Sequence, residues 1–247
     1  MLYHIYYSCV CHRGKVRNIN QDNIVCDCKC LPPGHDDILL QDQRTITPEE
    51  PFLVAVFDGM GGESHGEMAS WIAADTFHNW DLQRGEQSLI EGCLEGNRRI
   101  VRFGKKQRLK TCGTTAAMLL FDYAGIIQCN IGNSRIYRIR DKELQLLSET
   151  DVYPAGRRRK TFLLQYLGIP EEEMLVQPHT LRYPAENGDI FLVCSDGLTD
   201  MVTERNIVTI IRSSGLDMAG EALLQNAMNA GSMDNITFFL AQVRKDG

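Results

Sequence analysis

Hydrophobic and polar residues follow two periods along this chain, and each period predicts a different element. Continuous or alternating apolar runs are typical of strands, whereas apolar residues three and four positions apart are typical of helices. The run from Phe52 to Phe57 is entirely apolar, as expected for a strand that is buried on both faces. By these patterns, strands are predicted at 2–10, 24–30, 52–57, 113–122, 125–132, 134–140, 143–147, 174–183, 189–195 and 236–243.

Four segments have helical spacing instead. The first begins near Ser64, which stands three residues before Glu67 as in a capping box, and extends to Phe77. The other helices are predicted at 86–103, 203–213 and 217–230. The order of strands, two helices, strands, two helices and a final strand predicts an α+β fold, with antiparallel sheets and helices packed outside them.

Two segments fit neither period. Residues 31–51 are rich in Pro, Asp and Gln, and are interpreted as an inserted surface loop because they are too long for a hairpin turn. Residues 148–172 are polar and contain the basic run 157–160. Neither segment resembles a linker and no internal repeat is visible, so residues 1–247 are predicted to form one domain.

Composition narrows the class of protein. The 247 residues are 43% hydrophobic and 23% charged, which is ordinary globular usage and argues against a disordered or coiled-coil chain. The net charge of −6 disfavours nucleic acid as a partner, since phosphate-backbone binding needs a basic face. No apolar run approaches the length of a bilayer-spanning helix and no signal peptide is evident, so a cytoplasmic protein without a membrane partner is expected.

Nine cysteines are present, five of them in the first 30 residues. An odd number without an export signal argues against a disulfide framework. Cys26, Cys28 and Cys30 alternate, so on a continuous strand they would share one face. One interpretation is a thiolate site for a soft metal, although the usual CxxC spacing is missing. The favoured interpretation is that these small apolar side chains face the core of a sheet.

Four aspartates occur at the ends of apolar strands or in polar turns next to strands. They are Asp22, Asp58, Asp196 and Asp234. A rigid sheet can direct such carboxylates to one point, where they would repel one another without a cation. All-oxygen ligands suit Mg²⁺ or Mn²⁺, and two such ions sharing one carboxylate can activate a water for attack on phosphorus. Any one of these segments alone is better explained as a common turn, but their combination favours the metal.

Six short motifs extend this picture and lie between residues 14 and 243. In chain order they are Arg17-x-x-Asn20-x-Asp22, Val56-Phe57-Asp58-Gly59-Met60-Gly61-Gly62, Cys112-Gly113-Thr114-Thr115-Ala116, Gly132-Asn133-Ser134-Arg135, Ser195-Asp196-Gly197-Leu198 and Asp234-Asn235-Ile236-Thr237. Their order and spacing resemble the metal-dependent Ser/Thr protein phosphatases of the PPM (protein phosphatase 2C-like) family, in its compact bacterial form. Each motif is weak alone, but six in family order are highly specific.

The resemblance implies a β-sandwich of two antiparallel sheets flanked by helix pairs, in α-β-β-α layers, with a binuclear metal centre at one end. It implies that Asp58 bridges two Mn²⁺ or Mg²⁺ ions and that the Gly59 carbonyl binds one of them. Asp196 and Asp234 would complete the other metal site.

The resemblance also implies two catalytic residues that are not metal ligands. Asp22 would orient the activated water, and Arg17 would bind the substrate phosphate, for which a guanidinium fork is well suited. Thr114 and Thr115 are interpreted as structural residues beside the site.

The chain departs from the family pattern at three places. Gln21 stands where the family usually has Glu, and Asn133 stands where it usually has an Asp that helps to bind a third, weaker metal. A neutral amide at 133 puts that third site in doubt. The segment at 148–172 is shorter than the usual flap and lacks its signatures, so substrate specificity cannot be carried over from the family.

No histidine occupies a clear catalytic position in this pattern. His65 is interpreted as supporting the first helix or facing solvent, and His12 and His179 as surface residues, which leaves water to protonate the leaving alkoxide. Ser195 is not in a Gly-x-Ser-x-Gly elbow, and no P-loop sequence occurs, so a serine hydrolase and a P-loop NTPase are excluded.

The sequence thus predicts a phosphatase for phosphoserine and phosphothreonine in proteins, whose partners are the targets of Ser/Thr protein kinases. Two alternatives stay open. One is a pseudophosphatase, a regulatory binding module weakened at Gln21 and Asn133. The other is a phosphatase dedicated to a single partner-switching regulator.

Overall fold

The computed structural model describes residues 3–26, 29–60, 65–153 and 162–245. The strands are β1 (Tyr3–His12), β2 (Asp22–Cys26), β3 (Lys29–Cys30), β4 (Ile38–Ile46), β5 (Phe52–Met60), β6 (Gly113–Thr114), β7 (Ala116–Asp122), β8 (Gly125–Ile131), β9 (Arg135–Arg140), β10 (Glu143–Leu146), β11 (His179–Tyr183), β12 (Ile190–Cys194) and β13 (Ile236–Lys245). The helices are α1 (Gly66–His78), α2 (Glu86–Gln107), α3 (Asp196–Thr199), α4 (Glu204–Ser214) and α5 (Leu216–Asn229).

The strands form two antiparallel sheets that pack face to face. The first has the order β10-β9-β12-β13-β1-β4, and the second has the order β11-β8-β7-β5-β2-β3, with β6 paired to β5. One apolar core lies between the sheets. A second core joins the second sheet to α1 and α2, and a third joins the first sheet to α4 and α5. The predicted α-β-β-α sandwich is therefore confirmed.

Strand β5 is buried on both faces, which explains its continuous run of apolar residues. Its alternate side chains Val54 and Val56 face the core between the sheets, while Ala55 and Phe57 face the core under α1 and α2. All four are inaccessible to solvent. Truncating a buried aromatic such as Phe57 to Ala typically destabilises a fold by about 3–5 kcal/mol. This strand is thus a rigid support for the residues at its end.

Both long helices of the second layer agree with their predicted stripes. Helix α2 buries Leu89, Cys93 and Ile100. Helix α1 begins at Gly66, after His65 in a left-handed conformation with φ of 59° and without a side-chain cap. Ser64, the predicted cap, lies outside the described residues.

The prediction of a loop over 31–51 is wrong in its central part. Residues Ile38–Ile46 form β4, which pairs antiparallel with β1 from Cys11↔Ile38 to Tyr3↔Ile46. The strand is at the edge of its sheet and most of its side chains are exposed, which explains its polar sequence. Its conformation comes from hydrogen bonds to β1, a distant segment that a local pattern does not reveal.

In place of the single strand predicted at 24–30, β2 and β3 are two antiparallel strands that pair with each other. The pairing Val25↔Cys30 places Cys30 opposite Val25, so Cys26 and Cys30 do not share a face. Cys26 lies in the core between the sheets, and Cys30 packs against the core under the helices. These positions support the interpretation of core-facing cysteines for both. Cys28 lies outside the described residues.

Two other predictions need correction or fall outside the structure. The strand predicted at 174–183 forms only over His179–Tyr183, because Pro178 before it has no N–H for the ladder. In the segment 148–172, isolated bridges pair Val152 with Leu163 and Leu167 with Thr114, and residues 154–161, including the basic run, lie outside the described residues. No helix in the described part of the chain is long and apolar enough to cross a membrane.

Candidate active site

The four predicted aspartates lie at one edge of the sandwich. Asp22 and Asp58 are direct cross-strand partners on β2 and β5 of the second sheet. Asp196 follows β12, and Asp234 precedes β13, on two paired strands of the first sheet. Each sheet therefore contributes two carboxylates to the site.

Ser195 joins the two halves of the site. Its hydroxyl donates a hydrogen bond to Asp22 Oδ2 at 3.0 Å. Its backbone N–H donates to the carbonyl of Thr237 at 2.9 Å, and its Oγ accepts the Thr237 N–H at 3.2 Å. Ser195 is thus a buried bridge between the sheets, consistent with the exclusion of a nucleophilic role.

The backbone of Asp58 is fixed by its neighbours in the second sheet. The Thr114 hydroxyl and the Thr115 N–H both donate to the Asp58 carbonyl at 2.9 Å. The Asp58 N–H donates to Thr115 Oγ1 at 3.1 Å. The prediction that Thr114 and Thr115 are structural is therefore confirmed. These hydrogen bonds fix the point of the strand from which the Asp58 carboxylate extends.

Gly59 satisfies a steric requirement next to Asp58. Its N–H donates to the Gln21 carbonyl at 3.1 Å, and a Cβ here would overlap the carbonyl oxygens of Gln21 and Gly66. Glycine is therefore needed where β5, the loop before β2 and the start of α1 meet. The role of the Gly59 carbonyl as a metal ligand stays a prediction.

Burial and mutual repulsion raise the pKa of these carboxyl groups. Burial raises the pKa of Asp22 to about 7, partly offset by hydrogen bonds from Thr237 and Ser195. The pKa of Asp58 is raised well above its ordinary value by burial and by the charges of Asp22, Asp196 and Asp234. Burial also raises the pKa of Asp196, with further repulsion from Asp200 and Asp234. Negative charge is crowded at this point.

Such a site fits a divalent cation. The donor set consists of carboxylate oxygens, which suit Mg²⁺ or Mn²⁺, and a bound cation would favour the ionised form of each. Among residues 3–26, 29–60, 65–153 and 162–245, no three His, Cys, Asp or Glu side chains are already drawn together as a ligand shell. The residues that could hold the metal are Asp58, Asp196 and Asp234, and their convergence requires either protons or cations.

Arg17 lies beside this cluster on the loop between β1 and β2. Its exposed guanidinium forms an ion pair with Asp234 at 2.7 Å, which raises the pKa of Arg17. The sequence predicted a phosphate-binding arginine and did not predict this pair.

Asn235 holds the Arg17 loop, a role that the sequence reasoning missed. Its side-chain oxygen accepts the Gln21 N–H at 2.8 Å. Its amide donates to the carbonyls of Arg13 at 2.9 Å and Ile19 at 3.2 Å. The sequence feature that could have indicated this role is the position of Asn235 directly after Asp234, a candidate metal ligand in the same motif.

Asn133 contacts Asp196, a residue of a different motif. Its amide Nδ2 donates to Asp196 Oδ2 at 2.9 Å, and this bond lowers the pKa of Asp196 against the larger effect of burial. Asp151 holds the same turn, because its carboxylate accepts the Gly132 N–H at 2.8 Å. Asn133 therefore stabilises a neighbouring carboxylate as a neutral donor.

His65 is exposed, which is one of its two predicted placements, whereas His179 is less exposed than the predicted surface residue. His65 has no side-chain capping bond and lies in the wall of the active-site cleft, 3.3 Å from Glu67. His179 is only partly exposed, and its Nε2 lies 2.8 Å from Asp151. The contact between His179 and Asp151 joins segments that are distant in sequence, so a local pattern does not predict it.

The cleft beside the cluster has a volume of about 560 Å³ and opens to solvent. It is lined by Val16, Arg17, Asn18, Ile19, Gln21, His65 and Glu67. Arg17, which pairs with Asp234, and Gln21, the neighbour of Asp22, connect this cleft to the carboxylate cluster.

A pH dependence of stability follows from Asp22. Its pKa of about 7 in the folded protein, against 3.8 as the ordinary value, means that the metal-free folded state binds more protons than the unfolded state between these values. Stability conferred by the protonated acid is therefore lost as pH rises from about 4 to about 7, by a few kcal/mol at the order-of-magnitude level.

Urea unfolding in EDTA measures this effect. We expect the variant Asp22→Asn to become progressively more stable than the wild type as pH rises through that window. A stability difference that does not change with pH would contradict the shifted pKa.

Comparison with known proteins gives a consistent result. The family model of protein phosphatase 2C matches residues 34–231. The Ser/Thr phosphatase stp of Listeria welshimeri is 29% identical over 214 residues, covering 77% of this chain and 84% of that protein. The protein phosphatase PhpP of Streptococcus pneumoniae is 30% identical over 217 residues, covering 78% and 87%.

Solved structures extend the likeness to the whole described fold. The Ser/Thr phosphatase of S. agalactiae has a TM-score of 0.80 at 25% identity, covering 98% of this chain and 100% of that one. The catalytic domain of the phosphatase PstP, in complex with two manganese ions, has a TM-score of 0.74 at 26% identity, covering 99% and 100%. The family model, the curated relatives and the solved structures each match most of this chain. The chain therefore belongs to the protein phosphatase 2C family.

Proposed function

We propose that this protein removes phosphate from phosphoserine and phosphothreonine residues of other proteins, and that divalent metal ions bound by Asp58, Asp196 and Asp234 are required. The observation that carries the proposal is the convergence of four strand-end carboxylates beside an exposed arginine in an open cleft. Family membership supports it. The proposed partners are proteins that Ser/Thr protein kinases have phosphorylated.

Asp58 is the best candidate for a ligand shared by two metals. It stands opposite Asp22 on the neighbouring strand, and its carboxyl is within hydrogen-bonding distance of Asp196. Its charge interacts with all three other aspartates of the cluster. Two divalent ions, when bound, supply a water activated for in-line attack on phosphorus.

Asp22 and Arg17 have separate tasks in this proposal. Asp22 is buried and its carboxylate accepts a hydrogen bond from Ser195, so it is held where it can orient the activated water. Arg17 is exposed and has a planar fork of donors, so it can exchange Asp234 for two oxygens of a phosphate group. The loop that carries Arg17 is anchored by Asn235, so the guanidinium is presented from a fixed position.

A metal-titrated assay tests the proposed function. Hydrolysis of p-nitrophenyl phosphate and of a phosphothreonine peptide is measured after EDTA treatment, with increasing Mn²⁺ or Mg²⁺. We expect both activities to be absent without metal and to rise to saturation with it. Phosphopeptide binding without turnover at any metal concentration would instead identify a pseudophosphatase and refute the proposal.

Replacing Arg17 by Ala tests the phosphate-binding role. We expect a higher KM for phosphate substrates, corresponding to about 1.5–3 kcal/mol for a lost charged hydrogen bond. Metal affinity should change little, because Arg17 is not a ligand. The matched control is Arg13→Ala, an exposed arginine of the same loop whose guanidinium donates to the Asn18 carbonyl. A large loss of metal binding with an unchanged KM would contradict the role.

Replacing Asn133 by Asp tests whether a third metal site is latent. In the wild type, the Asn133 amide donates to Asp196, whereas a carboxylate would add charge at the same place. Since a hard cation responds strongly to ligand charge, we expect the variant to bind one more Mn²⁺ at millimolar concentration, with increased turnover. Calorimetric counting of metals on both proteins is the measurement. An identical stoichiometry would show that Asn133 only stabilises its turn and donates a hydrogen bond to Asp196.

A further inference from the structure

The most cationic segment of the chain lies outside the metal site. Residues 98–110 contain seven Lys and Arg residues and no Asp or Glu, in a chain whose net charge is −6. We propose that the exposed part of this segment, the α2 basic face, binds an acidic stretch of the phosphoprotein substrate and so determines which phosphoproteins are preferred. The proposal rests on the proposed function. The α2 basic face consists of Arg98, Arg102, Lys105, Lys106, Arg108 and Lys110.

Most charges of this face are not neutralised by the fold. Arg102, Lys106, Arg108 and Lys110 are exposed, and none forms an ion pair with the part of the chain that the structure describes. Lys105 pairs with Glu172, but both side chains are more than 60% exposed, and such surface pairs contribute little stability. The face is therefore free to exchange its contacts for those of a partner.

Arg99 is a cation of the same helix whose charge is used within the fold. It turns toward α1, where its guanidinium donates to Asp75 at 2.6 Å and to Thr76 at 2.8 Å. It joins the two helices of this layer and is not counted in the α2 basic face. The remaining cations have no comparable task within the described fold.

The helical period aligns three of these cations. Arg98, Arg102 and Lys106 are spaced four residues apart and form one stripe along α2. At 1.5 Å per residue the stripe is about 12 Å long, which matches about four residues of extended peptide. A short acidic segment thus has the length needed to contact the whole stripe.

The end of α2 lies against the wall of the active-site cleft. The Phe103 ring packs edge-on against the His65 ring, with centroids 6.3 Å apart. His65 lines the cleft together with Arg17. Cys112, two residues after Lys110, donates through its thiol to the His65 carbonyl at 3.8 Å. A peptide whose phosphorylated residue enters the cleft can therefore continue onto the α2 basic face.

A hollow of about 340 Å³ beside the stripe supplies room for acidic side chains. It lies between α2 and the segment that carries Glu171 and Glu172. That segment is held in place by Asn97, whose side chain accepts the Gly168 and Ile169 N–H groups and donates to the Ile169 carbonyl. The wall is therefore fixed, while the two glutamates that face the cations are exposed and can be displaced.

An acidic peptide fits these dimensions better than a nucleic acid or a membrane. The stripe covers about two turns of one helix, and the net charge of −6 repels a long polyanion that extends past it. A short segment attached to a residue in the cleft also gains effective concentration from that attachment.

Two phosphothreonine peptides of equal length test the proposal. One has a run of Glu residues about four to eight positions from the phosphothreonine, and the other has Gln at those positions. We expect the wild type to prefer the acidic peptide in kcat/KM by roughly fivefold at low ionic strength, mainly through KM. The preference should fall toward unity in about 0.5 M salt, where surface charges are screened.

The double variant Arg102→Glu with Lys106→Glu should lose this preference. Its activity on the Gln peptide and on p-nitrophenyl phosphate should be unchanged, because neither residue lies in the catalytic cleft. The matched control is Arg205→Glu with Arg212→Glu, two exposed arginines of α4 on the opposite outer layer, which should keep the preference.

The outcomes separate this proposal from the proposed function. Equal rates on both peptides, or a preference that survives the α2 charge reversal, would overturn the α2 site alone. Binding of an RNA oligonucleotide or of phosphatidylserine vesicles to this face, with no peptide preference, would also overturn it. Absence of all metal-dependent hydrolysis in the wild type would refute the proposed function instead.

Discussion

Replacing Asp58 by Asn should abolish hydrolysis of phosphoproteins at saturating Mn²⁺ while the protein stays folded. Asp58 is the carboxylate that interacts with all the other aspartates of the cluster, so its loss removes the proposed shared ligand of two metals. Charge stabilisation by metals contributes several kcal/mol to such reactions, and each 1.36 kcal/mol is a factor of ten. Turnover should therefore fall on the order of 10³-fold or more.

The fold should survive because the strand holds the Asp58 backbone through Thr114 and Thr115 and not through its carboxylate. Removing one charge also relieves repulsion with Asp22 and Asp196, so thermal unfolding in EDTA should occur at an equal or higher temperature. The control is Asp42→Asn, a substitution on the exposed strand β4, which should change neither activity nor metal binding. Near-normal turnover of Asp58→Asn at saturating Mn²⁺ would refute the binuclear site.

Replacing Gly197 by Ala should damage both the site and the fold. A methyl group at Gly197 would overlap the backbone carbonyl oxygen of Asn235. That contact joins the start of α3, which carries Asp196, to the loop that carries Asp234. Because backbone atoms cannot move as a side chain does, we expect a loss of about 1–3 kcal/mol or more, with a strong reduction in metal affinity.

Gly96→Ala is the matched control for this steric argument. Gly96 is also a buried helical glycine, but the nearest atoms to its Cβ position are at 3.9 Å, an ordinary contact distance. Replacing glycine by alanine within a helix is typically favourable by about 1 kcal/mol. Chemical unfolding and metal titration of both variants provide the comparison. Equal effects of the two substitutions would contradict a specific role for Gly197.

Much of the architecture was determined by local sequence. The apolar run of β5, the apolar stripe of α2 and the alternation of strand and helix segments predicted a layered α+β fold, because burial is the dominant favourable term and its period is set by backbone geometry. The positions of Asp22, Asp58, Asp196 and Asp234 at strand ends likewise predicted that they would converge. Each of these features depends on residues that are close together in the chain, so a single sequence is enough to predict it.

Other features depended on contacts between distant segments. Strand β4 exists because β1 supplies its hydrogen bonds, although its polar sequence indicates a loop. The antiparallel pairing of β2 with β3 separates Cys26 from Cys30, which a period of two would have kept on one face. In both cases the pairing partner, and not local preference, decided the conformation.

The details of the active site were decided in the same way. The sequence placed Arg17, Asn133 and Asn235 in motifs, but it did not reveal that Arg17 pairs with Asp234 or that Asn133 donates to Asp196. It also did not place His65 in the cleft wall beside the basic end of α2. Residue type and position at a strand end were enough to predict which chemical groups reach this edge of the sandwich. Their partners depend on the folded arrangement, because hydrogen bonds and ion pairs between side chains are set by distances of a few ångströms across separate strands.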